Sequence, residues 1–301
     1  MSKPIKNQYE MRDPRTQYPK PPFPRQPQPK PGIEAKMDPQ PDHGEESYKG
    51  SGRLEERKAV ITGGDSGIGR AVAIAFIREG AEVTVNYLPS EEPDARALEA
   101  LVKDEGGRIH LMPGDLKEEA FCTDLIGEAV KKMGGLDILV NNAGKQVFQT
   151  DIEDISSEQF DATMKTNVYA MFWLCKAALK VMPAGGSIIN VTSIQGFDPS
   201  PQLLDYATTK YAIRGFTEGL AQVAMDKGVR VNAIAPGPFW TVLQPSGGQP
   251  QEKVEQFGGN TPMGRPGQPA EIAPAFVYLA SQESSFVSGE IIGLTDGRPI
   301  Y

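Results

Sequence analysis

Cysteine and histidine are scarce in this 301-residue chain, which has two of each. Cys122 and Cys175 stand far apart in helix-like segments without CxxC spacing. That excludes a disulfide framework and a cysteine zinc site, and reads both as small buried hydrophobes. With only His43 and His110, a histidine-based triad or a metal centre is not expected. No run of about 18 apolar residues occurs, so no membrane span is expected. The opening stretch MSKPIKNQYEMRD lacks the apolar core of a secretory signal, and a cytoplasmic protein is the expectation. Positive charge is also short. The net charge is −8, and residues 1–50 hold nine Lys/Arg against seven Asp/Glu, so the remainder stands near −10. An acidic body argues against general binding to a nucleic-acid backbone.

Proline is unevenly spent: eleven of the 26 prolines lie within residues 1–50. YPKPPFPRQPQPKPG cannot sustain a helix or a central strand, because proline lacks the amide hydrogen and fixes φ. Residues 1–52 are therefore read as an extended or disordered arm, lying on its own fold or on a neighbouring subunit. PxxP spacing offers a ligand for a proline-recognising domain as the weaker alternative. Residues 53–301 are read as one domain. From KAVIT (58–62) onward, short β-branched runs alternate with helical apolar spacing: IGRAVAIAFIREG, AEVTVNY, DARALEALVKDEGG, RIHLMPGD, KEEAFCTDLIGEAVKKMGG, LDILVNNAG, SEQFDATMKTNVYAMFWLCKAALKVM, GSIINVTS, LLDYATTKYAIRGFTEGLAQVAM, VRVNAIAPGP, AEIAPAFVYLAS and GEIIGLT. Uniformly apolar strands between helices indicate an α/β, Rossmann-type doubly wound parallel sheet of about seven strands. Residues 239–268, rich in Gly, Pro and Gln, form a connection long enough to be functional or disordered.

The first strand runs into VITGGDSGIGRA. Gly63, Gly67 and Gly69 fall in the turn before a helix expected to open near Ile68. Glycines there let the backbone approach a pyrophosphate, and the helix N-terminus favours the negative charge. A tight turn alone explains the glycines about as well; the βαβ context makes the nucleotide reading the stronger one.

Within DYATTKYAI, Tyr206 and Lys210 stand at i and i+4, one above the other on a helix face. A tyrosine near pKa 10 is a poor base. A fixed ammonium stabilises the phenolate, and a phenol so tuned can take a proton from an alcohol or return one to a carbonyl. The competing reading is an inconsequential surface pair. Ser193 ends the preceding strand, where a hydroxyl could bond a substrate oxygen or merely cap a turn. Asn167 lies mid-helix, where asparagine is unfavourable.

Taken together, TGGDSGIG (62–69), NNAG (141–144), Ser193, YATTK (206–210) and PGP (236–238) resemble the short-chain dehydrogenases/reductases, in order and separation, over about residues 57–298. With the arm, they look like a bacterial subgroup described as general-stress or glucose/ribitol-dehydrogenase-like. The resemblance implies a catalytic group of Asn167, Ser193, Tyr206 and Lys210. In it Lys210 also bonds the nicotinamide ribose, and Asn167 holds a water that links the lysine to solvent. It implies cofactor contacts at Gly63, Asp65, Ser66, Gly67, Ile68, Gly69, Asn86, Tyr87, Asp115, Leu116, Asn142, Ala143, Gly144, Tyr206, Lys210, Pro236, Gly237 and Thr241. Asp115 is placed at the adenine edge, with loop capping its alternative role. A homotetramer is implied as well. The ending GLTDGRPIY departs from the glycine pair of many members, which bears on subunit contacts rather than on the catalytic group.

At the end of the second strand a carboxylate selects NAD and an arginine selects NADP. Here Asn86, Tyr87 and Leu88 give neither sign. The turn supplies no cation, Arg70 is the nearest at the helix start, and Arg96 is too remote. The reading is NAD, with NADP left open. The function expected is hydride transfer between nicotinamide and an alcohol or carbonyl. The enoyl-reductase alternative is disfavoured by the short tyrosine–lysine spacing. A redox-sensing NAD(H)-binding protein that uses the arm for partners is the non-enzymatic alternative. Deletion of residues 1–50 is expected to leave fold and activity in place.

Overall fold

The structure, a computed structural model, describes residues 6–300. Seven strands form one wholly parallel sheet: β1 Lys58–Thr62, β2 Glu82–Tyr87, β3 Ile109–Pro113, β4 Ile138–Asn141, β5 Ser187–Val191, β6 Arg230–Pro236 and β7 Ile291–Leu294. Their order is β3-β2-β1-β4-β5-β6-β7. The chain leaves β1 toward β2 and β3, then crosses back to β4, so the order reverses between β1 and β4. Such a switch point opens a crevice at the carboxyl ends of the strands.

Central strands β1, β2, β4, β5 and β6 are buried almost throughout, which is why their sequences read as unbroken apolar runs rather than alternating ones. Helices α1 (Gly67–Arg78), α2 (Glu92–Asp104) and α8 (Pro269–Ala280) cover one face, with Phe76, Leu98 and Phe276 in that core. Helices α3 (Glu119–Met133), α5 (Ala170–Ala178) and α6 (Leu204–Met225) cover the other, around Leu125, Leu174 and Ile213. α3 ends at Gly134 with φ 76°, the left-handed cap that glycine tolerates best.

Two segments depart from the sequence reading. The helix expected over 157–182 is α4 (Ser157–Met164), a π-helical turn Lys165–Tyr169, and α5. The π turn inserts one extra residue per turn, and such turns often mark functional positions; Asn167 sits inside it. The connection 239–268 is ordered by a turn over Gln244–Gly248, kinked at Gly247 with φ 98°, and by the short helix α7 (Gln251–Glu255).

The arm supplies part of what orders that connection. Phe23, Met37, Trp240, Val242 and Val254 form a third apolar cluster with Phe257 beside it. The Phe23 and Trp240 ring centroids lie 4.2 Å apart. The Trp240 indole donates to the Pro39 carbonyl at 2.8 Å, and the Phe23 amide donates to the Glu255 carbonyl at 2.8 Å. Nearer the body, fully buried Glu79 accepts from Tyr48 and Arg53, both at 2.7 Å, and from the Ser51 amide at 2.8 Å. A carboxylate can be buried this way only when its oxygens are saturated with donors.

Candidate active site

The switch-point crevice is a cleft of about 1160 Å³ at the carboxyl ends of β1, β4, β5 and β6, roofed by the 239–260 segment and edged by arm residues Lys20, Pro21, Lys30 and Pro31. Every candidate residue named from the sequence lines it except Gly69 and Asn167. Both exceptions have a visible cause. A Cβ on Gly69 would lie 1.9 Å from the Gly63 carbonyl oxygen and 2.6 Å from Asn142 Nδ2. Gly69 thus lets the turn fold back on the β4 exit, behind the cleft wall. Asn167 stands one layer further back.

Helix α1 opens at Gly67, with φ 50° in the region that disfavours side chains. Ser66 precedes it in extended conformation. Thr62 and Asn142 strap the turn to β4. The Thr62 hydroxyl accepts from the amides of Asn142 and Ala143, both at 3.0 Å, and Asn142 Nδ2 donates to the carbonyls of Thr62 (2.9 Å) and Gly63 (3.0 Å). The Gly67 amide donates to Glu34 Oε1 at 2.7 Å. Glu34 is buried, and its Oε2 lies 3.0 Å from His43 Nε2, an ion-pair contact rather than an aligned hydrogen bond. His43 Nδ1 faces Glu45 at 3.0 Å, and Glu45 also meets Arg70 at 3.2 Å. Burial opposes charge on His43, but the Glu34 and Glu45 carboxylates on either side raise it to about 9.

At the β2–β3 end of the cleft, where the resemblance puts the adenosine, Asn86 spends its amide on the carbonyls of Met112 and Gly114, both at 3.1 Å. Tyr87, also on the cleft lining, turns its hydroxyl toward Glu92. Asp115 pairs with Lys117 at 3.1 Å. Two further carboxyl groups stand here: Asp65, whose buried Oδ2 has no protein partner, and Glu91. Burial, together with Glu91 and Glu34, pushes the Asp65 carboxyl up, and burial pushes Glu91 up. Arg70 is taken by Glu45 and the Asp94 carbonyl. A turn that admits no Cβ and a buried oxygen without a partner suit the pyrophosphate and a ribose hydroxyl of a dinucleotide.

At the cleft floor Ser193, Tyr206 and Lys210 are all buried. Lys210 Nζ lies 5.2 Å from the Tyr206 ring centroid and donates to the Val191 carbonyl at 2.8 Å. The expectation that the ammonium lowers the phenol is not met by the protein's own side chains. Burial pushes Tyr206 up to about 12, against a downward pull from the Ser193 hydroxyl. Burial also pushes Lys210 down to about 7. Both charged forms are disfavoured because both side chains are withdrawn from water. Asn167 Oδ1 accepts from the Lys145 amide at 2.7 Å. Its Nδ2 donates to the Lys145 carbonyl at 2.9 Å and to Thr209 Oγ1 at 3.0 Å. The amide therefore clamps the residue after NNAG to α6, next to Lys210. Pro236 and Gly237 form the β6 exit, and Thr241 packs toward Gly67, 3.1 Å from where a Cβ there would lie.

Residues 63–297 match the family model described as Enoyl-(Acyl carrier protein) reductase. The chain is 56% identical to the uncharacterized oxidoreductase YghA of Escherichia coli (strain K12) over 288 residues, 96% of this chain and 98% of that one. The chain belongs to the short-chain dehydrogenase/reductase family. It is 42% identical to the glucose and ribitol dehydrogenase of Daucus carota, over 89% of this chain and 94% of that one. A crystal structure of a short-chain dehydrogenase from Burkholderia cenocepacia J2315 in complex with NADP superposes with a TM-score of 0.75 at 29% identity, covering 81% of this chain and 98% of that one. The protein is accordingly an oxidoreductase of this family, with its Rossmann-type nicotinamide-nucleotide fold.

Sequence reasoning missed Glu34 and Glu91, and it passed over Lys145 and Gln146. The last two directly follow NNAG, so their place at the cleft was available. Glu34 had no local signal, because only the docking of the arm brings it to the turn.

Proposed function

We propose that the protein transfers hydride between a nicotinamide dinucleotide and an alcohol or carbonyl, with Tyr206 as general acid/base. The observation that carries this is the burial of Ser193, Tyr206 and Lys210 together at the floor of the cleft. When bound, the nicotinamide supplies or accepts the hydride. The protein's part is proton handling and orientation. Ser193 and Tyr206 present two hydroxyls to the substrate oxygen, a donor pair that stabilises developing negative charge. With its phenol held protonated at neutral pH, Tyr206 is prepared as the acid of carbonyl reduction. Lys210, whose ammonium titrates near neutrality, relays the replacement proton. Asn167 fixes the Lys145 backbone beside it, and its water-holding role remains the family expectation carried to this position. Three residues, Ala207, Thr208 and Thr209, separate Tyr206 from Lys210, so the pair stands one helical turn apart; enoyl reduction goes with a wider spacing.

NAD is the favoured cofactor. Asp65 and Glu91 stand at the adenosine end, where burial already disfavours negative charge, and Arg70 is already paired, so a 2′-phosphate would add negative charge there with no free arginine beside it. The NADP in the Burkholderia structure belongs to that chain. Ratios of kcat/KM for NADH and NADPH, measured by nicotinamide absorbance with a panel of aldehydes and ketones, test both parts. No turnover with either nucleotide would refute hydride transfer, and equal ratios would refute the NAD preference. Homotetramer assembly draws support from exposed Tyr169, Phe172, Tyr211 and Met225 on α5 and α6 and the turn before them. A cytoplasmic location is in keeping with the two free, buried thiols. The regulator alternative is weakened because the arm's buried residues are engaged with its own fold rather than displayed.

A further inference from the structure

Charge is unevenly distributed along the cleft. The adenosine end holds Asp65 and Glu91, and Lys117 there is neutralised by Asp115. Besides Lys20 and Arg298, the rest of the rim holds three lysines, Lys30, Lys145 and Lys253, of which Lys145 stands near enough to Lys117 to be repelled by it. Among the described residues none of these three forms an ion pair. The one carboxylate on that rim, Glu252, is held by Arg25 at 3.1 Å. Unpaired lysines converging on a cleft are unusual in a chain of net charge −8 and call for an anion.

Each lysine is positioned by the fold. The Lys145 backbone is gripped on both sides by Asn167. The same amide bonds Thr209, the neighbour of Lys210, so Lys145 is tied to the catalytic floor. Gln146, next along, donates to the Gly248 carbonyl at 2.7 Å. Beside it Gly247, with φ 98°, lies so close under the Lys30 stem that a Cβ there would come within 2.2 Å of Lys30 Cε. Lys253 rests over the Phe148 ring at 4.6 Å. Lys145, Gln146, Gly247, Gly248 and Lys30 thus form one continuous wall, built partly from the arm. The Lys145 ammonium is held below the usual lysine range by burial and by Lys30 and Lys117, only partly offset by Asp205 and Asp115, a repulsion that a bound anion relieves.

Resting on the proposed hydride transfer, we infer that the substrate is an aldehyde, ketone or alcohol carrying an anionic group, a carboxylate or a phosphate, which the Lys145–Lys30 wall recognises while Ser193 and Tyr206 hold the reacting oxygen. The test compares matched pairs: glyceraldehyde with glyceraldehyde 3-phosphate, and butanal with succinic semialdehyde, each at fixed NADH. The anionic member of at least one pair has a kcat/KM about tenfold or more above its neutral partner, as a charge-assisted contact provides; which pair responds separates phosphate from carboxylate. That ratio falls toward one in Lys145→Met and in Lys30→Met, survives in Lys145→Arg, and inverts in Lys145→Glu. Neutral members equal to or better than anionic ones in both pairs overturn the inference, as does a ratio unmoved by Lys145→Glu. Calorimetry of glycerol 3-phosphate and glycerol with the NAD-saturated protein separates this from the parent reading. Equal binding, with no response of the succinic semialdehyde pair, sinks the anion site. Preferential binding of the phosphate without turnover of any pair sustains the site and sinks hydride transfer.

Discussion

The Glu34 carboxylate, 33 positions before Gly67 in sequence, accepts the hydrogen bond of the Gly67 amide at 2.7 Å. One of the first amides of α1, at the head of the glycine turn, is thereby satisfied from behind the cleft by the arm. Glu34 does not line the cleft, so it braces the turn without occupying the dinucleotide's place. An N–H left buried without a partner costs about 1–3 kcal/mol. Glu34→Ala is expected to weaken NADH binding by about tenfold, read by fluorescence titration, with Glu34→Gln restoring most of it. Unchanged binding in Glu34→Ala would show that the brace is dispensable.

His43 makes this brace pH-dependent. Its folded value, about 9, is raised above the ordinary 6.5. A raised value stabilises the folded state fully below 6.5, and the contribution is lost as pH climbs through about 9. The melting temperature should decline across that alkaline window, and His43→Gln should flatten the decline there. An identical slope in the variant would remove His43 from the account.

Removing residues 1–50 is expected to be damaging, against the tolerance that composition suggests. It strips Phe23 and Met37 from Trp240, Val242 and Val254, takes away the Glu34 partner of Gly67, and removes Tyr48 from among the donors to Glu79. A milder form, Phe23→Ala, should cost about 3 kcal/mol, as for a buried aromatic, measured by urea unfolding. It should also raise KM for the carbonyl substrate, because Val242 and Phe257 roof the cleft. A truncated chain with full activity and an unchanged melting point would contradict this.

Tyr206→Phe should lower kcat by at least about 10²-fold, the low end of general acid–base catalysis, while NADH still binds. Ser193→Ala should lower kcat less, since one hydroxyl of the pair remains. Turnover retained in Tyr206→Phe would transfer the proton step to another group.

Glu91→Lys exchanges a carboxylate at the adenosine end for a cation and should shift the cofactor ratio toward NADPH. A ratio that stays put would place the selecting group elsewhere.

The sheet was legible because its signals are local. Continuous apolar strands such as AEVTVNY and amphipathic helices such as 94–107 announce themselves within a few residues, and the TGGDSGIG turn and YATTK spacing sit on single elements. What was not legible depends on contacts between distant segments. The arm's proline content correctly excludes long helices and strands, but it says nothing about where Glu34, Phe23 and Lys30 come to rest. The burial-driven pKa values of Tyr206 and Lys210 likewise come from the whole cleft, whereas i,i+4 spacing reports only their shared helix face. The π turn at Asn167 left no trace in the apolar periodicity, because it shifts the register by one residue only once.

The chain contains two tryptophans, and one of them, Trp240, lies fully buried against Phe23 with its indole hydrogen on Pro39. The arm therefore comes with its own optical gauge. Undocking it would expose this indole to water and move its emission to longer wavelength. Whether the N-terminal segment stays docked during turnover can thus be followed in the unlabelled protein, with Trp240→Phe as the blank.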